Sequence, residues 1–148
     1  MRLLARREYS TAQIRLRLAR RALPEPEIDA AIARLTQAGL LDDARVARAW
    51  ARRAAEIKLR GQNRTRREIE ALGIAPETAR QAVAAVFGEL DEEAVLERAI
   101  AKRLEGPIRD RAHFRQLYQT LLRQGFPPDR VAAQLLTRTG EAGAFVEE

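Results

Sequence analysis

The stretch Ile69–Ala79, "IEALGIAPETA", decides the fold because the chain carries its pattern three times. "LARRALPEPEI" begins at Leu18 and "LLRQGFPPDRV" at Leu121, and the three align without gaps. In each, an apolar residue leads to a small one a helical turn later: Ala22, Gly73 or Gly125. An apolar residue follows at once (Leu23, Ile74, Phe126), then a proline, then a further apolar position (Ile28, Ala79, Val131). The copies lie 51 and then 52 residues apart, a period that implies tandem units.

Helix signals give each unit the same parts. Ser10-x-x-Gln13 reads as a capping box, and Ile14, Leu18 and Ala22 then recur every four residues. Pro24 and Pro26 end that helix and start the next, whose stripe is Ile28, Ile32 and Leu35, with Gly39 closing it. In the second unit Thr65-x-x-Glu68 reads as the cap of a short helix that Gly73 ends, and Pro76 opens a helix striped by Ala79, Val83 and Val86. In the third, Asp110 or a neighbour caps a helix bearing Phe114, Leu117, Tyr118 and Leu121, and Val131 and Leu135 mark the last helix. A further helical stretch precedes each pair: Val46 to about Ile57, Val95 to Leu104, and a short version around Leu3 to Arg7. No segment alternates with period two, so strands are not expected.

The fold class expected is therefore all-α, with three tandem three-helix repeats forming an elongated, curved helical-repeat protein. The units span residues 1–40, 41–89 and 90–140, and residues 141–148 form a flexible tail. Of the 46% apolar residues, 28 positions are alanine, which favours helix but fills little volume, so thin cores are expected.

Asp42 and Asp43 are adjacent at the start of the second unit, and Asp91, Glu92 and Glu93 occupy the same place before the third. Such carboxylates accept backbone N–H bonds and complement the positive end of a helix. The pair reads as structural caps, against the alternative of acid–base or metal chemistry. Neighbouring aspartates diverge around a helix start, which disfavours a shared cation.

Assembled chemistry is not evident. Cysteine is absent and His113 is the only histidine, so neither a thiol nucleophile nor a transition-metal site is expected. There is no Walker-type loop or dinucleotide fingerprint; Gly61-Gln62-Asn63 is the nearest approach to a phosphate loop. The reading is a binding protein, not an enzyme, with no catalytic residues, cofactor or metal. Without a membrane span or signal peptide, a cytoplasmic monomer is expected.

What it binds is suggested by charge. Basic residues number 27 against 21 acidic, and all but Lys58 and Lys102 are arginine. Residues 1–72 hold most of the excess, whereas 73–105 are acidic on balance. Such a body suits a polyanion or an acidic protein face. The strongest candidate site is "KLRGQNRTRRE", in which Lys58, Arg60, Arg64, Arg66 and Arg67 flank a glycine turn at a helix start. A second is the basic helix holding Arg15, Arg17, Arg20 and Arg21, with Arg6 and Arg7 before it. Tyr9 and Trp50 read as packing residues, since only 5% of the chain is aromatic.

Three segments in order carry a resemblance: "LLARREYSTAQIRLRL", "AIARLTQAGLLDDARVARAWARR" and "RGQNRTRREIEALGI". With them the sequence resembles the RecX family of bacterial regulators of the RecA recombinase, over about residues 3–87. The third unit matches mainly in repeat geometry. Val46 departs from the family's usual phenylalanine after the acidic pair, which puts the local packing in question. The resemblance implies tandem three-helix repeats that bind RecA and its filament on single-stranded DNA. It also implies suppression of ATP hydrolysis, strand exchange and the co-protease activity of the SOS response. The competing readings are a direct DNA-binding helical module without recombinase specificity, and a helical adaptor for an unrelated acidic partner.

Overall fold

The computed structural model describes residues 8–140, and within them the chain forms eight α-helices and no strand. In order these are α1 (Thr11–Arg20), α2 (Glu25–Gln37), α3 (Asp43–Glu56), α4 (Gln62–Ala71), α5 (Pro76–Leu90), α6 (Glu92–Arg103), α7 (Arg111–Arg123) and α8 (Pro128–Leu136). The short helix expected around Leu3–Arg7, the basic pair Arg6 and Arg7, and the tail at 141–148 lie outside the described residues.

The three aligned turns take one conformation. Ala22, Gly73 and Gly125 have φ of 59°, 84° and 100°, the left-handed region that terminates a helix. Each follows the end of the corresponding helix, α1, α4 or α7, and each is followed by a proline-started helix. Glycine at Gly73 and Gly125 is required twice over. An added Cβ at Gly73 would sit 2.3 Å from the Ala12 Cβ, and one at Gly125 only 2.4 Å from the Arg64 nitrogen. Ala22 is exposed, so its methyl costs backbone strain without a collision.

The chain divides into two compact units, Met1–Ala51 with Arg66–Ala85 and Arg52–Thr65 with Val86–Glu148. The division falls inside α3, α4 and α5. In the first unit α1 packs on α2 around Tyr9, Ile14, Ile28, Ile32 and Leu41, with Leu18 and Leu35 at the margin. Val46 is buried there at 5% exposure, so valine fills the position after the acidic pair. In the second unit α6, α7 and α8 pack together and bury Leu96, Ile100, Leu117, Leu121, Val131 and Leu135.

Local side-chain caps account for four of the helix starts, those of α1, α3, α6 and α7, whereas α2 and α8 start after a proline without one. Ser10 forms the full capping box with Gln13, and the Asp110 carboxylate accepts from the His113 N–H at 2.8 Å. Thr65 differs from its expected role. Helix α4 begins at Gln62, and the Thr65 hydroxyl lies within it, donating back to the Gly61 carbonyl at 2.8 Å.

Candidate partner-binding surface

Two neighbouring acids perform different tasks at the start of α3. The Asp42 carboxylate accepts from the Arg45 N–H of its own helix at 3.1 Å. The Asp43 carboxylate turns to α1 and accepts from the Thr11 N–H at 2.8 Å. The start of α6 repeats the division of labour. Asp91 accepts from the Glu93 N–H at 3.1 Å, while Glu92 accepts from the Gln62 N–H at 2.8 Å and from the Gln62 side chain at 3.2 Å. Burial holds the Glu92 carboxyl above its ordinary value, against the lowering effect of those Gln62 bonds. Glu93 shifts the opposite way, because Arg130 and Gln134 of α8 both donate to it.

This architecture bears on the basic turn. Gly61 donates its N–H to the Gln124 carbonyl at 2.9 Å, Gln62 to Glu92, and Asn63 to the Gly125 carbonyl at 3.2 Å. An added Cβ at Gly61 would lie 2.6 Å from the Gly125 carbonyl carbon and oxygen. The backbone donors at this helix start are thus engaged by the protein itself, and the glycine serves a close helix-end contact instead of a phosphate cradle. Any anion recognition here falls to side chains.

Those side chains divide between the two units. In the second unit, Lys58 is exposed, Arg60 is partly buried, and Arg64 donates to the Gln124 side chain at 3.2 Å. In the first, Arg66 pairs with Glu70 at 3.1 Å and Arg67 is exposed. On α1, Arg15 pairs with Asp29 at 2.9 Å and Glu25 at 3.4 Å, and Arg17 lies over the Tyr9 ring at 4.5 Å. Arg20 and Arg21 are exposed at the end of the same helix. Leu16, between Arg15 and Arg17 on the same helix, is an apolar side chain left 52% exposed, which charge counting overlooked. Trp50 is half-buried, with its indole N–H 3.4 Å from a Glu68 carboxylate oxygen. Among the described residues no cluster of three or more His, Asp or Glu could hold a metal ion, and no helix is long and apolar enough to cross a membrane.

The sequence pattern described as RecX, first three-helix domain, matches residues 1–35. The regulatory protein RecX of Chromohalobacter salexigens is 33% identical over 132 residues, covering 88% of this chain and 84% of that protein. The chain belongs to the RecX family. The RecX regulatory protein of Geobacillus kaustophilus is 29% identical over 135 residues, 89% of this chain, which spans only 49% of that relative's length. The crystal structure of RecX from Lactobacillus salivarius superimposes with a TM-score of 0.74 at 16% identity, covering 90% of each chain. A second RecX crystal structure gives 0.71 at 18% identity, with 90% of this chain and 66% of that one. The RecX fold is thereby established as the fold of this chain.

Proposed function

We propose that this chain regulates the RecA recombinase by binding RecA and its filament on single-stranded DNA. Binding suppresses ATP hydrolysis, strand exchange and the co-protease activity that drives the SOS response. The observation that carries this reading is family membership, through a relative named as a regulatory protein and matched over most of its length. The exposed cations support it: Lys58, Arg67, Arg20 and Arg21 suit an acidic recombinase face or the phosphates of the strand within it. Small helical units in series can each hold a different neighbour in a filament, and several modest contacts then reinforce one another. The mechanism is obstruction without catalysis in the cytoplasm, by a monomer needing no cofactor. Asp42 and Asp43 act as structural caps in it.

A direct DNA-binding helical module is the second reading, favoured by the number of exposed arginines. Co-sedimentation separates the two. Recovery of the chain with RecA–DNA filaments, at salt where the bare strand leaves it in the supernatant, supports the regulator. Equal recovery with bare strand and filament supports the module.

A further inference from the structure

Helix α1 carries an apolar stripe on its outer face where the other two repeats are polar. Ala12, Leu16 and Ala19 follow one another at helical spacings of four and three residues, and all three are exposed. Ile14 and Leu18, which pack into the core of the first unit, lie on the opposite side of the helix. Aligned on Ala22, Gly73 and Gly125, Leu16 coincides with Arg67 and Gln119, and Ala12 with Asn63 and Arg115. The same helix is thus built twice with polar residues at these two positions, so the repeat does not call for leucine there. Leu16 is nonetheless 52% exposed, and apolar surface left in water gains nothing for the folded chain.

Cations border the stripe. Helical periodicity puts Arg15 along one edge and Arg20 along the other. Arg15 is already paired with Asp29 and Glu25 of α2. Arg20 and the following Arg21 are exposed and make no ion pair among the described residues, and α1 itself contains no carboxylate. A nucleic-acid strand offers phosphates to these cations but little to Leu16. Bases stack on aromatic rings, and the aromatic residue preceding the helix, Tyr9, is only 8% exposed. A protein helix with an apolar ridge and flanking carboxylates satisfies both features. Its ridge seats over Leu16 between the low alanines, and its acids reach the guanidinium groups.

We propose that the outer face of α1, formed by Ala12, Leu16 and Ala19 with Arg20 and Arg21, docks an acidic amphipathic helix of the recombinase. The contact rests on the regulatory reading above and gives it a face that meets protein and not phosphate.

Fluorescence anisotropy of the labelled full chain would be read against filaments of the cognate RecA on single-stranded DNA, and in parallel against the bare strand. Leu16→Gln should weaken filament binding about fivefold, as loss of roughly half a leucine side chain's burial does, without altering the salt dependence. Leu16→Met keeps the apolar volume and should bind like the parent. Neither variant should change affinity for the bare strand. Arg20→Gln should weaken filament binding at low salt and converge on the parent as salt rises. Leu16→p-benzoylphenylalanine should crosslink, on irradiation, to a RecA peptide in which carboxylates flank apolar residues, which decides the matter if Leu16→Gln fails to fold. A Leu16→Gln chain that binds the filament like the parent, or crosslinks confined to the DNA, would overturn this contact while regulation of RecA stands. An equal loss on filament and bare strand would give the face to nucleic acid and overturn it too. A parent chain that does not bind the filament would overturn contact and regulation together.

Discussion

The Asp43 carboxylate accepts the Thr11 N–H at 2.8 Å, joining the start of α3 to the start of α1 across 32 positions of sequence. Glu92 and Gln62 repeat the relationship at 2.8 Å across 30 positions. In both pairs the preceding aspartate caps its own helix, so adjacent acids serve one local and one distant helix start. Asp43→Ala should lower unfolding stability by about 1–2 kcal/mol, because a partly buried N–H loses a charged acceptor. Asp42→Ala should cost about 0.5–2 kcal/mol, as the loss of a local cap does. Asp43→Asn keeps an acceptor and should recover most of the loss. Urea unfolding of the three variants measures this, and an Asp43→Ala variant as stable as the parent would contradict it.

The left-handed turns make a paired prediction. Ala22→Gly should stabilise the chain by about 0.5 kcal/mol, since relief of strain at φ 59° outweighs the added freedom of the unfolded chain. Gly125→Ala should cost about 2–4 kcal/mol, combining the same strain with a collision against the Arg64 backbone. The midpoint of urea unfolding should rise for the first and fall sharply for the second.

Glu92 and Glu93 should respond to pH with opposite sign. The folded-state pKa of Glu92 lies above 4.5, so its relative contribution is fullest below that value and declines as pH rises through the folded pKa. The folded-state pKa of Glu93 lies below 4.5, so its stabilising contribution is present above that value and is lost as pH falls through the folded pKa. Glu92→Gln should therefore gain on the parent as pH rises above 4.5, whereas the cost of Glu93→Gln should shrink as pH falls below 4.5. Stability curves against pH that shift in the same direction for both variants would contradict the assignment.

Lys58→Gln and Arg67→Gln remove exposed charges that the folded chain does not bury. Unfolding stability should change by no more than about 0.5 kcal/mol, while affinity for the RecA filament falls and its salt dependence weakens. Filament binding titrated at two salt concentrations checks this. Unchanged affinity in the double variant would move the contact elsewhere.

Much of this fold was legible because its signals are local. Ser10 and Gln13 sit one turn apart, and the small residues at the three aligned turns share a demand for positive φ that the sequence meets twice with glycine and once with alanine. The error at Thr65 has the same root. A threonine followed three residues later by glutamate is compatible with a helix interior when another residue, here Gly61, starts the helix. That start is fixed by the carbonyls of Gln124 and Gly125, some 60 positions away, and no local pattern reports them. The acidic pairs were readable as punctuation, but not the reach of Asp43 and Glu92 to other helices. Leu23 shows a related limit. It aligns with Ile74 and Phe126, which are 2% and 1% exposed, yet it remains 37% exposed. Equal sequence position does not confer equal burial at the first copy of a repeat. For the candidate surface, composition indicated the cations, while only the structure separated paired Arg15 and Arg66 from exposed Arg20, Arg21 and Lys58.

The central claim is regulation of RecA. Its most direct test is ATP hydrolysis by the cognate RecA on single-stranded DNA, titrated with this chain at physiological salt, with binding to the bare strand followed in parallel. The account predicts that hydrolysis falls at concentrations where the bare strand remains unbound. Unchanged hydrolysis at concentrations that saturate the bare strand would contradict it.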